Sequence, residues 1–475
     1  MSSSCTNGCS LASLEQDLAD DDPHDEARHP VPEPEPLRWR PAHHRGTMPM
    51  AQIACHFYPR GRCRKGDDCP FRHDPADMRP KAVVQDDPQL ELHGPTELAQ
   101  VLGDALLCQW RGHGHHKAYT HGFHSRKAVM NPLAVSKLLE LLPGEGAIID
   151  PFVGSGTTAV EVMLAGRPAL GYDISSLAVG IAKLHCWRPS STQLDEFRDA
   201  IDAAVAALDG EDEATIDWER ATHAIQVQAE KASVEVAGAL WFVLSHEQSY
   251  AWPEWRRFRG LGWRLSRTAD RFVAKLQELT AAVPSGTPNA QIYVSDARLL
   301  GITGASGADG VLTSPPYPAV YDYVGDDAPN ELGRWAVSTG QQYCSPTSEM
   351  SKGNVPAVMR SFEEIGSKNQ FEALKSSPGS FAQRWQADTE DWLQAAAEQL
   401  RPDGRIAMLI GDNVGVHALS SIAAAATKIS ERSNFELRLL ASASVAEDAR
   451  RPWAAKKRNY RSEHTILLEK KVDCV

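Results

Sequence analysis

From about residue 94 onward the chain alternates short apolar runs with helical periods. "AIID" (147–150), a glycine loop and the helix-like "TAVEVMLAGR" lead to "PALGYD"; a long helical stretch then precedes "QIYVSD" and "GVLTS". A helix in "TEDWLQAAAEQL", the run "RIAMLI", a helix in "LSSIAAAATKISERS" and the runs "FELRLLAS" and "HTILLEKK" complete the series. Parallel neighbours need a crossover connection, and a helix is the connection that packs back onto the sheet. The pattern therefore predicts an α/β fold, a largely parallel sheet with helices on both faces. The last two runs have no helix between them and are expected to form an antiparallel pair at the sheet edge. On this reading the globular part opens with the helix "NPLAVSKLLELL".

Composition bounds what surrounds that sheet. With 475 residues, 42% of them apolar and 23% charged, the chain has the make-up of a soluble globular protein with two or three domains. The net charge of −13 argues against indiscriminate coating of nucleic acid, though not against local basic patches. No apolar run approaches the ~18 residues of a membrane span. The first thirty residues are acidic, without a signal-peptide core or the character of a transit peptide, so an intracellular location, nucleus or cytoplasm, is expected. Residues 1–48, with "HPVPEPEPLRWRP", read as a disordered tail. A Cys/His segment (49–78), a linker (79–95) and one large domain (96–475) follow, the last with a mainly helical insert at 186–288. The oligomeric state is not legible.

Three of nine cysteines cluster in "CHFYPRGRCRKGDDCPFRH", where Cys55, Cys63, Cys69 and His73 stand in a C-x7-C-x5-C-x3-H pattern. Three thiolates and an imidazole close a tetrahedral zinc shell with no open position, so structural Zn2+ is expected. Metal binding would supply the folding free energy that so short a segment lacks. With Gly66 and the aromatic Phe71 after Cys-Pro, the segment resembles the CCCH zinc fingers. That resemblance implies single-stranded RNA as a partner, with Phe57, Tyr58 and Phe71 stacking on bases and Arg60, Arg62, Arg64, Lys65 and Arg72 facing phosphate. Some such fingers bind proteins instead.

"IIDPFVGSGTTAVEV" sets Gly154 and Gly156 between a strand and a helix, where a ligand can approach the backbone and the helix N-terminus favours negative charge. No Gly-Lys-Ser/Thr follows, which excludes a Walker loop. A dinucleotide site and an S-adenosylmethionine site both remain open on the loop alone. Asp173 ends the next strand about 20 residues on, where a carboxylate accepts ribose hydroxyls. Asp296 ends another strand, either bordering an adenine or capping a helix.

"LTSPPYPAVYDY" closes the argument: a buried strand ends at Thr313 and opens into the stiff turn Ser314-Pro315-Pro316-Tyr317. An exocyclic base amine becomes nucleophilic when its two N–H bonds are gripped by acceptors and its nitrogen is pulled toward tetrahedral geometry. The Ser314 hydroxyl and Pro315 carbonyl offer two such acceptors, the prolines preorganise them, and Tyr317 offers a face for an extruded base.

Together "DPFVGSGTT" and "TSPPY" resemble the Rossmann-like S-adenosylmethionine-dependent amino-methyltransferases: the DNA N4-cytosine and N6-adenine enzymes and related RNA guanine-N2 enzymes. The resemblance covers roughly residues 118–185 and 290–470. It implies S-adenosylmethionine held by Asp150, Phe152, Gly154, Gly156, Thr157, Asp173 and Asp296, with Ser314, Pro315, Pro316 and Tyr317 serving the target amine. "HGFHSRKAVMNPLAVSKLLELL" is similar to the family's segment that encloses the methionine end of the cofactor. An initial Ser in the turn is commoner among the cytosine-N4 enzymes. Carbon-5 cytosine methylation is disfavoured, since the chain has no Pro-Cys pair for a nucleophile. Nucleic acid is the expected substrate, RNA ahead of DNA on account of the finger; a DNA amino-methyltransferase and a non-catalytic RNA-binding protein on a methyltransferase scaffold are the alternatives.

Three segments stay open. In the insert, Trp252, Trp255 and Trp263 interleave with Arg256, Arg257, Arg259, Arg264, Arg267 and Arg271, either as a nucleic-acid element or as a helical cap with core tryptophans and paired arginines. The histidines of "RGHGHHKAYTHGFH" (His113, His115, His116, His121, His124) are expected in a solvated loop beside the cofactor pocket. The basic run at 450–461 either touches phosphate or is a solvated loop.

Overall fold

The structure is a computed structural model that describes residues 89–111, 118–124, 129–208, 217–249, 260–302, 307–322, 331–338, 364–374, 380–413, 415–445 and 462–472. The tail, the Cys/His segment with its four metal ligands, the basic run 450–461, His113, His115, His116, Trp252, Trp255, Arg256, Arg257 and Arg259 lie outside the described residues.

In chain order the elements are β1 (Leu90–His93), α1 (Thr96–Arg111), α2 (Pro132–Leu139), β2 (Ile148–Asp150), α3 (Thr157–Leu164), β3 (Ala169–Asp173) and α4 (Ser176–His185). The helices α5 (Ser191–Ala206), α6 (Trp218–Ala229), α7 (Val234–Ser249) and α8 (Leu261–Ala282) follow. Then come β4 (Gln291–Val294), a 3-10 helix (Ala297–Ile302), β5 (Ala308–Thr313), α9 (Glu331–Ser338), α10 (Lys368–Leu374), α11 (Ser380–Gln399), β6 (Leu400–Gly411), α12 (Ala418–Arg432), β7 (Glu436–Val445) and β8 (Glu463–Lys471).

These strands form one eight-stranded sheet in the order β1-β7-β8-β6-β5-β2-β3-β4. The run from β4 to β6 is parallel, as the alternation of strands and helices requires. All six residues of β5 are buried, the mark of a central strand covered on both faces. One face packs under α1, α2 and α3 through Leu102, Leu138 and Val160; the other packs under α11 and α12 through Trp392, Leu393 and Ile422. The architecture is that of a Rossmann-like methyltransferase sheet.

The ends of the sheet depart from expectation. β7 and β8 are antiparallel, but β8 is inserted between β6 and β7 rather than lying at the edge. β1 then covers β7, from Leu90 opposite Val445 to His93 opposite Ser442. The domain therefore begins inside the segment read as a linker, and a helix, α1, precedes "NPLAVSKLLELL". "LELH" is too short to show a period of its own. It is a strand only because β7 offers it a partner.

The insert carries its own core, in which α5, α7 and α8 meet through Phe197, Leu240, Phe242, Phe272 and Leu276. Arg264 is buried, pairs with buried Glu247 at 3.0 Å and lies over the Trp218 ring at 5.7 Å, while the Thr268 hydroxyl donates to the same carboxylate. For Arg264 the helical-cap reading holds, since a buried charge without its partner would be costly. Trp263 and Arg267 are exposed.

Candidate active site

The sheet's switch point lies at β2, whose neighbours are β3 on one side and β5 on the other. Crossovers leave it in opposite directions, which opens a crevice beyond the carboxyl ends of the strands. A cavity of about 340 Å3 sits there, and its wall includes Asp150, Phe152, Gly154, Thr157, Asp173, Asp296, Ser314, Pro315, Pro316 and Tyr317. Of the residues expected at the cofactor and the target amine, Gly156 alone is not in that wall. It turns the chain into α3, with its α-carbon face against α4, where a Cβ would stand 3.0 Å from Ala182.

The glycine loop is tied down by carboxylates. Gly154 has φ +53°, and a Cβ there would meet nothing nearer than the Phe152 carbonyl at 3.8 Å, so the backbone is open to the cavity. Asp173 accepts from the Gly154 N–H at 2.9 Å and from the Ser175 N–H at 2.9 Å, while Ser175 caps α4 through Ala178. The end of β3 thus fixes the loop that follows β2. Burial pushes the Asp150 carboxyl up to about 6, against the pull of the Thr313 hydroxyl at 2.6 Å and the Phe152 N–H at 3.1 Å. Phe152 stands edge-on to buried Trp392 at 5.3 Å. Asp296 caps the turn after β4 through the Arg298 N–H at 2.9 Å and is gripped on both oxygens by the Arg298 guanidinium, which also reaches Asp388 at 2.8 Å. It is a cap and part of the cavity wall at once.

The proline turn is clamped from the far side. Ala319 takes a left-handed φ of +53°, a conformation costly for a residue with a Cβ, and donates its N–H to the Gly366 carbonyl at 2.8 Å. The Asn413 amide donates to the Pro318 carbonyl at 2.6 Å. The Tyr317 ring lies against Gly411, where a Cβ would stand 2.8 Å from the ring. The end of β6 therefore holds the turn at the end of β5.

The histidines overturn the expectation of a solvated loop: His121 and His124 are buried. His121 pairs with Glu161 of α3 at 2.8 Å, and His124 lies 3.1 Å from the Ser245 hydroxyl of α7. The Thr120 hydroxyl donates to the His185 carbonyl, and His185 Nδ1 donates to the Ser155 carbonyl at 2.7 Å. Burial holds His185 neutral, with its pKa lowered to about 3. These polar side chains turn inward because α3, the end of α4 and the insert give them partners, and His185 braces the glycine loop at Ser155. Among the described residues no group of three His, Cys, Asp or Glu is placed to hold a metal. No helix among them is long and apolar enough to cross a membrane.

Met130 of the segment before the glycine loop stands in the wall, while Gln109, Tyr321, Glu364, Asp412 and Glu463 escaped the sequence reading. Asp412 had a signal, since it ends an apolar strand as Asp150 and Asp173 do. Glu364 and Glu463 had none, lying in polar stretches that only the fold brings to the cavity.

Residues 110–184, from the end of α1 through α4, match the profile of a family described as DNA methylase, specifically its N6/N4 branch. No curated protein matches the chain. Among solved structures, TrmN from Thermus thermophilus aligns at 14% identity over 72% of this chain and 50% of that one, with a TM-score of 0.28. The rRNA methyltransferase AviRa from Streptomyces viridochromogenes aligns at 12% identity over 73% of this chain and 88% of that one, with a TM-score of 0.29. The chain thus spans half the length of the TrmN structure, and likeness this distant says nothing of substrate. Over residues 110–184 the chain is similar to the N6/N4 DNA methylases, and that segment carries Gly154 and Asp173 of the cavity wall.

Proposed function

We propose that the protein methylates an exocyclic base amine in nucleic acid, with RNA favoured over DNA. The observation that carries this reading is the single cavity joining the open Gly154 backbone and Asp173 to the Ser314–Tyr317 turn. A cofactor pocket alone would serve any methyltransferase; the rigid turn facing it suits an amine.

The cradle fits S-adenosylmethionine. The bare backbone at Gly154 leaves room for it, the Asp173 carboxylate at the end of β3 suits ribose hydroxyls, and Asp150 sets a carboxylate near its cationic end. Phe152, Thr157 and Asp296 would complete its walls, with Gly156 holding the loop's shape from behind. When bound, the cofactor supplies a methyl on a sulfonium, which the amine nitrogen takes as the carbon–sulfur bond breaks. The Ser314 hydroxyl and Pro315 carbonyl accept the two amine N–H bonds and turn the nitrogen lone pair away from the ring. Pro316 stiffens the turn, and Tyr317 gives the extruded base a surface. The amine grows acidic as it is alkylated, so its proton leaves to solvent without a strong base.

Zn2+ bound by Cys55, Cys63, Cys69 and His73 would fold residues 49–78 into a finger that recruits RNA, on its resemblance to the CCCH modules. The DNA-methylase match favours DNA as the second reading. Incubation with labelled S-adenosylmethionine and separate RNA and DNA pools, followed by mass spectrometry of nucleosides, tests both. A methylated exocyclic amine is expected, in RNA. Sole formation of 5-methylcytosine or a ribose methyl overturns the proposal.

A further inference from the structure

Besides Asp150, Asp173 and Asp296, the cavity wall carries three carboxylates, Glu364, Asp412 and Glu463. Asp412 is fixed from several sides. Its chain neighbours are both fastened to the proline turn: Gly411 lies under the Tyr317 ring, and Asn413 donates to the Pro318 carbonyl at 2.6 Å. Its own N–H donates to the Ser462 carbonyl at 2.9 Å. One carboxylate oxygen accepts from the Ala418 N–H at 2.8 Å and from His464 Nε2 at 3.0 Å. His464 is buried on β8, and its Nδ1 lies 2.7 Å from the buried Ser444 hydroxyl of β7. The other oxygen lies 3.8 Å from the ring of His417, whose side chain is 80% exposed. Burial pushes the Asp412 carboxyl up, but the His464 and Ala418 N–H groups outweigh it and hold the group below the usual carboxylate range.

An ionised carboxylate accepts hydrogen bonds and donates none. At the Ser314–Pro315 turn the two amine N–H bonds already have their acceptors. A third acceptor beside that turn faces whatever stands next to the amine on the base ring. In adenine and cytosine that neighbour is a bare ring nitrogen, itself an acceptor, and the two lone pairs would oppose each other. In guanine it is the N1–H.

We infer that Asp412 is a specificity-determining residue that accepts the ring N–H beside the target amine, and so selects guanine, methylated at N2, over adenine and cytosine. This rests on the reading of the cavity as a base-amine methylation site. His464, with Ser444 behind it, is a positioning residue that holds the carboxylate toward the base. The three-carboxylate wall suits an edge with adjacent donors, which guanine's N1 and N2 provide.

The test uses the full chain, labelled S-adenosylmethionine, and unmodified random-sequence RNA and DNA pools, read by mass spectrometry of nucleosides. N2-methylguanine is the expected product. N4-methylcytosine or N6-methyladenine as the main product overturns this inference and leaves the proposed amine chemistry standing; no methylated base in any pool overturns that chemistry itself. With Asp412→Asn, whose amide can donate, kcat/KM on guanine should fall at least 30-fold while cofactor affinity holds, and the share of adenine or cytosine product should rise. An unchanged rate and product ratio in Asp412→Asn overturns the assignment. His464→Gln should shift the product ratio in the same direction by a smaller factor, and serves where Asp412→Asn fails to fold; no shift there counts equally against the inference.

Discussion

The two halves of the cavity are built in different ways. The proposed cofactor half draws most of its wall, from Asp150 to Asp173, from one continuous strand–loop–helix–strand stretch tied together by Asp173 and Gly154, with Asp296 added from the end of β4. The substrate half is assembled from the ends of β5, β6 and β8, with Gly366 and Glu364 brought in from a separate stretch. The first half is local and repeats wherever the motif repeats. The second depends on the whole sheet, so it is the half where specificity can change without disturbing the cofactor.

The largest expected effect tests that division directly. Tyr317→Ala and Pro315→Ala should lower turnover on the order of 100-fold, as loss of a preorganised transition-state contact does, while calorimetry finds cofactor affinity nearly unchanged. Tyr317→Phe should keep most activity, because the stacking surface is the ring. Equal losses of turnover and cofactor affinity would erase the distinction between halves.

Asp173→Ala is the converse. It removes an acceptor from the cofactor half and frees the Gly154 N–H, so S-adenosylmethionine should bind more weakly by about 1–3 kcal/mol. Turnover at saturating cofactor should fall much less.

Asp150 sharpens the comparison through pH. Its pKa is raised from 3.8 to about 6, so the native state binds more protons than the unfolded chain between those values. Stability therefore falls as pH rises through that window and is level above it. Asp150→Asn should abolish the slope and raise stability at pH 7.5 by on the order of 1–3 kcal/mol, read from denaturation midpoints. A bound cation would favour the ionised form, so wild-type cofactor affinity should climb as pH rises through about 6, and in Asp150→Asn it should not.

The smallest effect on the cavity is expected from the Cys/His segment. Cys63→Ser should abolish zinc binding and leave thermal unfolding of residues 89–472 within about 0.5 kcal/mol of wild type, the usual range for a substitution outside the core of the domain measured. Metal analysis of the wild type at saturating zinc should give one ion per chain.

The same division explains what could be read from the sequence. Gly154, Asp173 and the Ser314–Tyr317 turn could be singled out, and they meet in one cavity wall, because each stands at its own strand end, where a short quotation of residues contains the chemistry proposed for it. Asp412 sat at the end of an equally visible strand, but its meaning depends on His464 and Ser444, two strands that pair only in the folded sheet. β1 was taken for linker because four residues carry no period, and its pairing with β7 supplies all its reason for being extended. His121 and His124 looked like surface because histidine usually is; Glu161 and Ser245 draw them inside, and neither stands near them in sequence. In the insert, helix periods were plain, yet which arginines face inward was settled only by Glu247, far along from Arg264.

β8 carries a consequence for how the chain comes to be folded at all. It occupies the gap between β6 and β7 but is synthesised after both, so on the ribosome those two strands wait with unpaired edges until residues 463–471 emerge. β1 waits longest, since its partner β7 lies at the other end of the domain. Contacts this distant in sequence slow folding and leave apolar strand edges open to misassociation, which makes nascent chains of this protein natural clients for chaperones. A chain halted after residue 462 would hold every residue proposed to bind the cofactor and still be without the strand that locks its sheet.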